Sequence, residues 1–184
     1  MNTRSPSLLS AAALALAMSF GAQAADNNGS NTAKLSGQDK SFLKDAAEAG
    51  NAEVEGSKTA LDKSTSADVM SFAHMMIDDH SKAGNELQGL AGQKGVKLPD
   101  GPSMTKKAEI KMLSERKGSG FDQHYADSNG VAAHQQTIKL FQKEVDKGTD
   151  PDVKAWASKT LPTLQHHLEA AQALKTKTDS EPKS

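Results

Sequence analysis

The chain has 184 residues, enough for one ordinary domain. It contains no cysteine, which excludes disulfides, thiolate metal ligands and cysteine nucleophiles. Lysine plus arginine number 22 against 23 aspartate plus glutamate, a formal net charge of -1, and without a basic run the chain offers no electrostatic footprint for nucleic acid.

The first segment reads as a targeting signal. Arg4 gives a positive start, Leu8 to Phe20 is an apolar run too short to span a bilayer comfortably, and Ala22-Gln23-Ala24 is an A-x-A cleavage signal. Residues 1–24 are therefore expected to be a signal peptide cleaved after Ala24. That would place the mature protein in a bacterial periplasm, or outside the cell, without a transmembrane anchor. No cysteine follows the cleavage point, which argues against a lipoprotein. Residues 25–35 are expected to be a disordered linker, being mostly small and polar.

Abundant Ala, Lys, Asp and Glu with few aromatics favour helix, and the pattern predicts four long helices. The first spans about 36–64, capped by Ser36 with Asp39 three residues on. Its apolar face runs from Phe42 and Leu43 through Ala46, Glu53 and Ser57 to Ala60 and Leu61. The second spans about 67–92, with Ser66 as cap and a stripe through Val69, Phe72, Met76, His80 and Leu87. Gly92 to Gly95 and Leu98-Pro99 end it. The three-residue link makes these two helices an antiparallel hairpin.

A long connection follows, from about Gln93 to Gly118, holding a short amphipathic piece over 103–117. It suits the one long crossover of ferritin-like bundles. The third helix spans about 119–147, with a face through Phe121, Tyr125, Ser128, Val131, His134, Ile138, Phe141 and Val145. Asn129-Gly130 is its weak point, since an interior glycine costs about 1 kcal/mol against alanine, and a local bend is expected there. Asp150-Pro151 opens the fourth helix, about 151–175, with Trp156, Leu161, Leu164, His167 and Leu174 on its face and Pro162 as an expected kink. The residues beyond, 176–184, are expected to form a disordered tail. The predicted fold is all-α, a ferritin-like four-helix bundle with a long crossover between helices 2 and 3.

Each helix places one polar residue on its apolar face: Glu53, His80, His134 and His167. Each lies within about four residues of its helix midpoint, or roughly 6 Å at 1.5 Å per residue. Midpoints of packed helices share a level, and axes 8–10 Å apart bring inward side chains into reach. One carboxylate and three imidazoles suit a single four-coordinate ion such as zinc, or iron, manganese or copper with water added. Asp79 or Asp122 could orient an imidazole from behind.

The segments FLKDAAEAGNAEVEGSKTALDKS, VMSFAHMMIDDHS, FDQHYADSNGVAAHQQTIKLF and LPTLQHHLEAA together resemble the domain-of-unknown-function family 4142, over about residues 41–174. The matching positions are Glu53, Asp79-His80, Phe121-Asp122, Tyr125, His134, Leu161-Pro162 and His167-Leu168. The resemblance implies an exported bacterial protein of the ferritin-like superfamily and a four-helix bundle; it implies no activity. Di-iron bundles carry two Glu-x-x-His pairs, and this chain has Ile77 three before His80 and Leu164 three before His167, which disfavours ferroxidase chemistry.

Three readings of the central residues stay open at this level. They could form a self-satisfied polar core, in a structural or interaction protein of the cell envelope linked to stress. They could hold a metal ion, or they could form a small-ligand or pH-responsive site. Met70, Met75, Met76, Met104 and Met112 are expected to fill the core rather than bind a soft metal. His74, His124 and His166 are expected at the surface. No nucleophile–base arrangement and no glycine-rich phosphate loop is present.

Overall fold

The computed structural model describes residues 35–180. The expected signal peptide, most of the linker and residues 181–184 lie outside them. All regular structure among the described residues is helical: α1 Gly37–Lys63, α2 Ala67–Gln93, α3 Met104–Ser114, α4 Gly118–His124, a π-helical stretch Tyr125–Ala132, α5 Ala133–Lys147 and α6 Pro151–Ser180. The backbone stays helical through Tyr125 and Ala133, so α4, the π stretch and α5 form one rod. With α1, α2 and α6 this rod makes the bundle, and α3 lies in the crossover, packed on α1 and α4.

The helix boundaries have local causes. Ser36 and Asp39 form a reciprocal capping box at the start of α1. Asp150 caps α6 by accepting from the Asp152 and Val153 amides at 3.0 and 3.1 Å. Gly95 ends α2 in the left-handed region (φ 66°), where only glycine sits without strain. Ser66 stands at the N-cap of α2, but its side chain makes no capping bond.

Two apolar clusters fill the bundle. One gathers Phe42, Leu43, Leu87, Phe141, Val153 and Leu164. The other gathers Phe72, Met76, Phe121, Tyr125, Ala171 and Leu174. Along every helix the candidate polar residue falls between members of the two: His80 between Met76 and Leu87, His134 between Tyr125 and Phe141, His167 between Leu164 and Ala171, and Glu53 between Leu43 and Ala60. The polar residues thus form a layer sealed by hydrocarbon above and below.

Four expectations need correction. The fully buried face of the third rod runs Phe121, Tyr125-Ala126, Gly130, His134, Thr137, Phe141 and Glu144; Val131, Ile138 and Val145 of the expected face are half-buried and pack against the clusters from its flank. The wider π winding lengthens the repeat to four or five residues between Phe121 and His134 and resets its phase. Among the described methionines Met76 is fully buried and Met75 packs against the second cluster, whereas Met104 and Met112 are 81% and 63% exposed. The fourth helix does not stop near 175: α6 reaches Ser180, with Thr178 buried and its carbonyl accepting from Gln123 Nε2 at 3.0 Å. Leu35, the last residue of the expected linker, is buried in the first cluster.

Candidate metal centre

α2, α5 and α6 each contribute one histidine. His80, His134 and His167 are all buried, and one nitrogen of each lies within 4.8 Å of the others. The ring centroids are 5.2–5.6 Å apart, with every pair tilted or edge-on. Nitrogens bound to one ion at about 2.0–2.1 Å in tetrahedral geometry would stand about 3.3 Å apart, so a modest contraction closes the trio on a metal.

The outward nitrogens of His134 and His167 are fixed. His167 Nε2 donates to Asp79 Oδ2 at 2.8 Å. A carboxylate can only accept, so Nε2 carries the proton and Nδ1 keeps its lone pair. His134 Nδ1 donates to the Gly130 carbonyl at 2.7 Å, which leaves the lone pair on Nε2. The three nitrogens without a hydrogen-bond partner among the described residues are therefore His80 Nε2, His134 Nε2 and His167 Nδ1. Burial holds all three imidazoles below their usual range, His80 at about 3 and His134 at about 4; at His167 the Asp79 carboxylate opposes the shift. Near neutral pH they are uncharged, which is the state that ligates a metal.

The π stretch helps to set this geometry. It ends at Ala132, two residues before His134, and its Gly130 carbonyl holds the ring. A Cβ on Gly130 would lie 3.0 Å from Ala171 Cβ, so glycine lets α6, which carries His167, approach closely. Such windings recur at functional sites because they re-aim side chains without breaking a helix.

Glu53 sits beside the trio. Its Oε1 is 4.0 Å from His134 Nδ1, the nitrogen already turned to Gly130, and its Oε2 has no hydrogen-bond partner among the described residues. Burial pushes its carboxyl up to about 8. Of the two candidate orienting carboxylates, Asp79 contacts an imidazole; Asp122 is buried on α4, its Oδ1 without a hydrogen-bond partner among the described residues. His74 and His166 are exposed, and His124 is half-buried.

A buried acidic pair escaped the sequence reading. Asp39 and Glu144 are both fully buried where α1 meets the α5–α6 turn. Asp39 accepts from the Thr149 amide at 2.8 Å and from Thr149 Oγ1 at 2.7 Å, while Gln38 Nε2 donates to Glu144 at 3.0 Å. Burial raises the Asp39 carboxyl, but the hydrogen bonds from Ser36 and Thr149 outweigh it and hold it well below the carboxylate range. Burial and the Asp39 charge push Glu144 up. The signal that could have revealed Glu144 was its three-residue spacing from Phe141 on α5, where the apolar Val145 competes for the same turn.

The family described as "Domain of unknown function (DUF4142)" matches residues 24–174. A solved structure, described as "Crystal structure of DUF305 fragment from Deinococcus radiodurans", is similar in fold with a TM-score of 0.69. It shares 14% sequence identity, over 78% of this chain and 98% of that one. No curated protein matches the sequence.

Proposed function

We propose, for a chain that belongs to the DUF4142 family and inherits from it no assigned activity, a role as an exported bundle that binds one divalent transition metal ion through His80, His134 and His167. The observation that carries this reading is the convergence of three buried imidazole nitrogens without a hydrogen-bond partner among the described residues, with the opposite edge of His167 turned to Asp79 and that of His134 to Gly130. A self-satisfied polar core predicts the reverse, because each buried polar atom left without a partner costs about 1–3 kcal/mol. An orienting carboxylate behind a histidine ligand raises its basicity and fixes its tautomer, as Asp79 does for His167. Zinc, copper, iron and manganese all accept imidazole, and a fourth position is left for water, an exogenous ligand or a swing of Glu53.

Export rests on Arg4, the apolar run ending at Phe20 and the Ala22-Gln23-Ala24 signal. Among the described residues no helix is long and apolar enough to cross a membrane.

Elemental analysis of untagged protein purified from the periplasm, with melts before and after chelation, tests the proposal. About one equivalent of metal, a melt lowered by chelation, and loss of binding in His80→Ala with helicity retained are expected. Absence of metal in the wild type, with no melt shift on adding any of the four ions, would reject it.

A further inference from the structure

The histidine layer, sealed above and below, is approached by solvent from one flank. A cavity of about 620 Å³ lies between α1, α2 and α6, with the start of the crossover, Val96 to Asp100, as a further wall. His80 lines it, and His134 and His167 do not. No member of the trio lines a second cavity beside α3. The residual exposure of the three follows the same order: 8% at His80, 1% at His167 and none at His134. The outer edges of His167 and His134 are closed by Asp79 and the Gly130 carbonyl. His80 is therefore where solvent comes nearest to the centre.

The walls suit a hydrated cation. Side-chain oxygens of Asn51, Ser81, Asn85 and Gln88 line the cavity and can replace part of an ion's water shell. Lys97 and Asp100 contribute one charge of each sign, so the lining presents no net positive charge to repel a cation. Glycines keep the space clear. Gly50 of α1 and Gly84 of α2 both line the cavity from helix interiors, where glycine is the poorest helix former after proline. A Cβ at either position would meet nothing within 4 Å. Gly84 stands one turn after His80, and a helical side chain covers the turn before its own Cα. Any larger side chain at 84 would thus lie over His80 and Ser81, and one at 50 over Ala46 and Ala47 of the same cavity. We infer that this cavity is the passage by which a divalent transition metal ion reaches and leaves the centre of the folded protein, entering beside His80, with Gly84 keeping its inner end clear. The inference rests on the metal reading above.

Cobalt(II) serves as the probe, because its visible absorption changes on ligation. Chelator-stripped protein is mixed with Co²⁺ by stopped flow, and release is followed into chelator at concentrations where the rate has levelled off. In Gly84→Phe and, independently, in Gly50→Phe, uptake and release should both slow by about tenfold or more, with the dissociation constant within about twofold of wild type, because an obstructed path raises one barrier in both directions. Gly84→Ala improves the helix without filling the cavity, and should exchange cobalt at the wild-type rate. Wild-type rates in either folded phenylalanine variant would overturn the passage and leave the metal centre standing. So would equal slowing by Gly84→Ala, or a loss of affinity at an unchanged uptake rate. No cobalt binding by the wild type would overturn the centre itself, and the passage with it.

Discussion

His80 and Glu53 occupy the same sealed layer, and burial moves their protonation in opposite directions. Unfolded imidazoles protonate near 6.5, whereas His80 and His134 do so only near 3 and 4. Between those values the unfolded chain binds more protons, so stability falls as the pH drops. Metal-free protein should lose up to about 1.4 kcal/mol per pH unit and per histidine from pH 7 toward pH 4. Denaturant titrations across that range would show it, and His80→Phe should flatten the slope. Glu53 has the opposite sign. Its carboxyl protonates near 4.5 when unfolded and near 8 when folded, so the native state holds the extra proton between them and stability is lost as the pH rises. The melt of Glu53→Gln relative to wild type should therefore climb from pH 5 to pH 8, and a difference independent of pH would contradict the buried, protonated acid. At His167 the partner is Asp79, and Asp79→Ala should weaken metal binding by about 10–100-fold while the helices stay folded. Calorimetric titration with zinc measures that loss; unchanged affinity would remove Asp79 from the centre.

The π stretch Tyr125–Ala132 shows how one element serves packing and site together. Alanine at 130 would gain about 1 kcal/mol of helix propensity. The same Cβ would press on Ala171 Cβ at 3.0 Å, and a methyl carbon has no alternative rotamer by which to move aside. The clash should win: Gly130→Ala is expected to destabilise by about 1–2 kcal/mol and to weaken metal binding by moving His134 against His167. Adding Ala171→Gly should recover most of the affinity. A double-mutant cycle on chemical denaturation and zinc binding reads the coupling, and additive effects would separate the two residues.

At the scale of the molecule, Asp39 ties the start of α1 to the turn between α5 and α6. It accepts from Ser36 before α1 and from Thr149 between α5 and α6, with every bond half-buried. Asp39→Ala should cost about 2–4 kcal/mol, because several charge-assisted bonds are lost at once and the Thr149 amide is left without its acceptor. Equilibrium unfolding in urea checks it. The contribution of Asp39 is present above the unfolded carboxylate range and is lost in acid, so it adds to the acid sensitivity set by the histidines.

The sequence by itself determined the four long helices, the long crossover and the polar residue on each apolar face. Those features are written in local chemistry: three- and four-residue apolar spacing, Ser36 and Asp150 as caps, and glycines at the end of α2. It also brought His80, His134 and His167 to one level, because packed helices share a midpoint. Only tertiary structure decided which nitrogen of each ring faces inward, since that depends on acceptors far away in the chain, such as Asp79 for His167, 88 residues apart. Glu53 had the right depth and face, yet periodicity could not tell that its carboxyl stands 4.0 Å from the outward Nδ1 of His134 rather than among the inward nitrogens. Gly130 read as a weak point because a glycine's value lies in what approaches it, here Ala171 on another helix. Glu144 shares the inward face of α5 with Phe141 three residues before it, but an apolar pattern assigns that turn to Val145, and only the contact with Gln38 of α1 shows what an acid finds there.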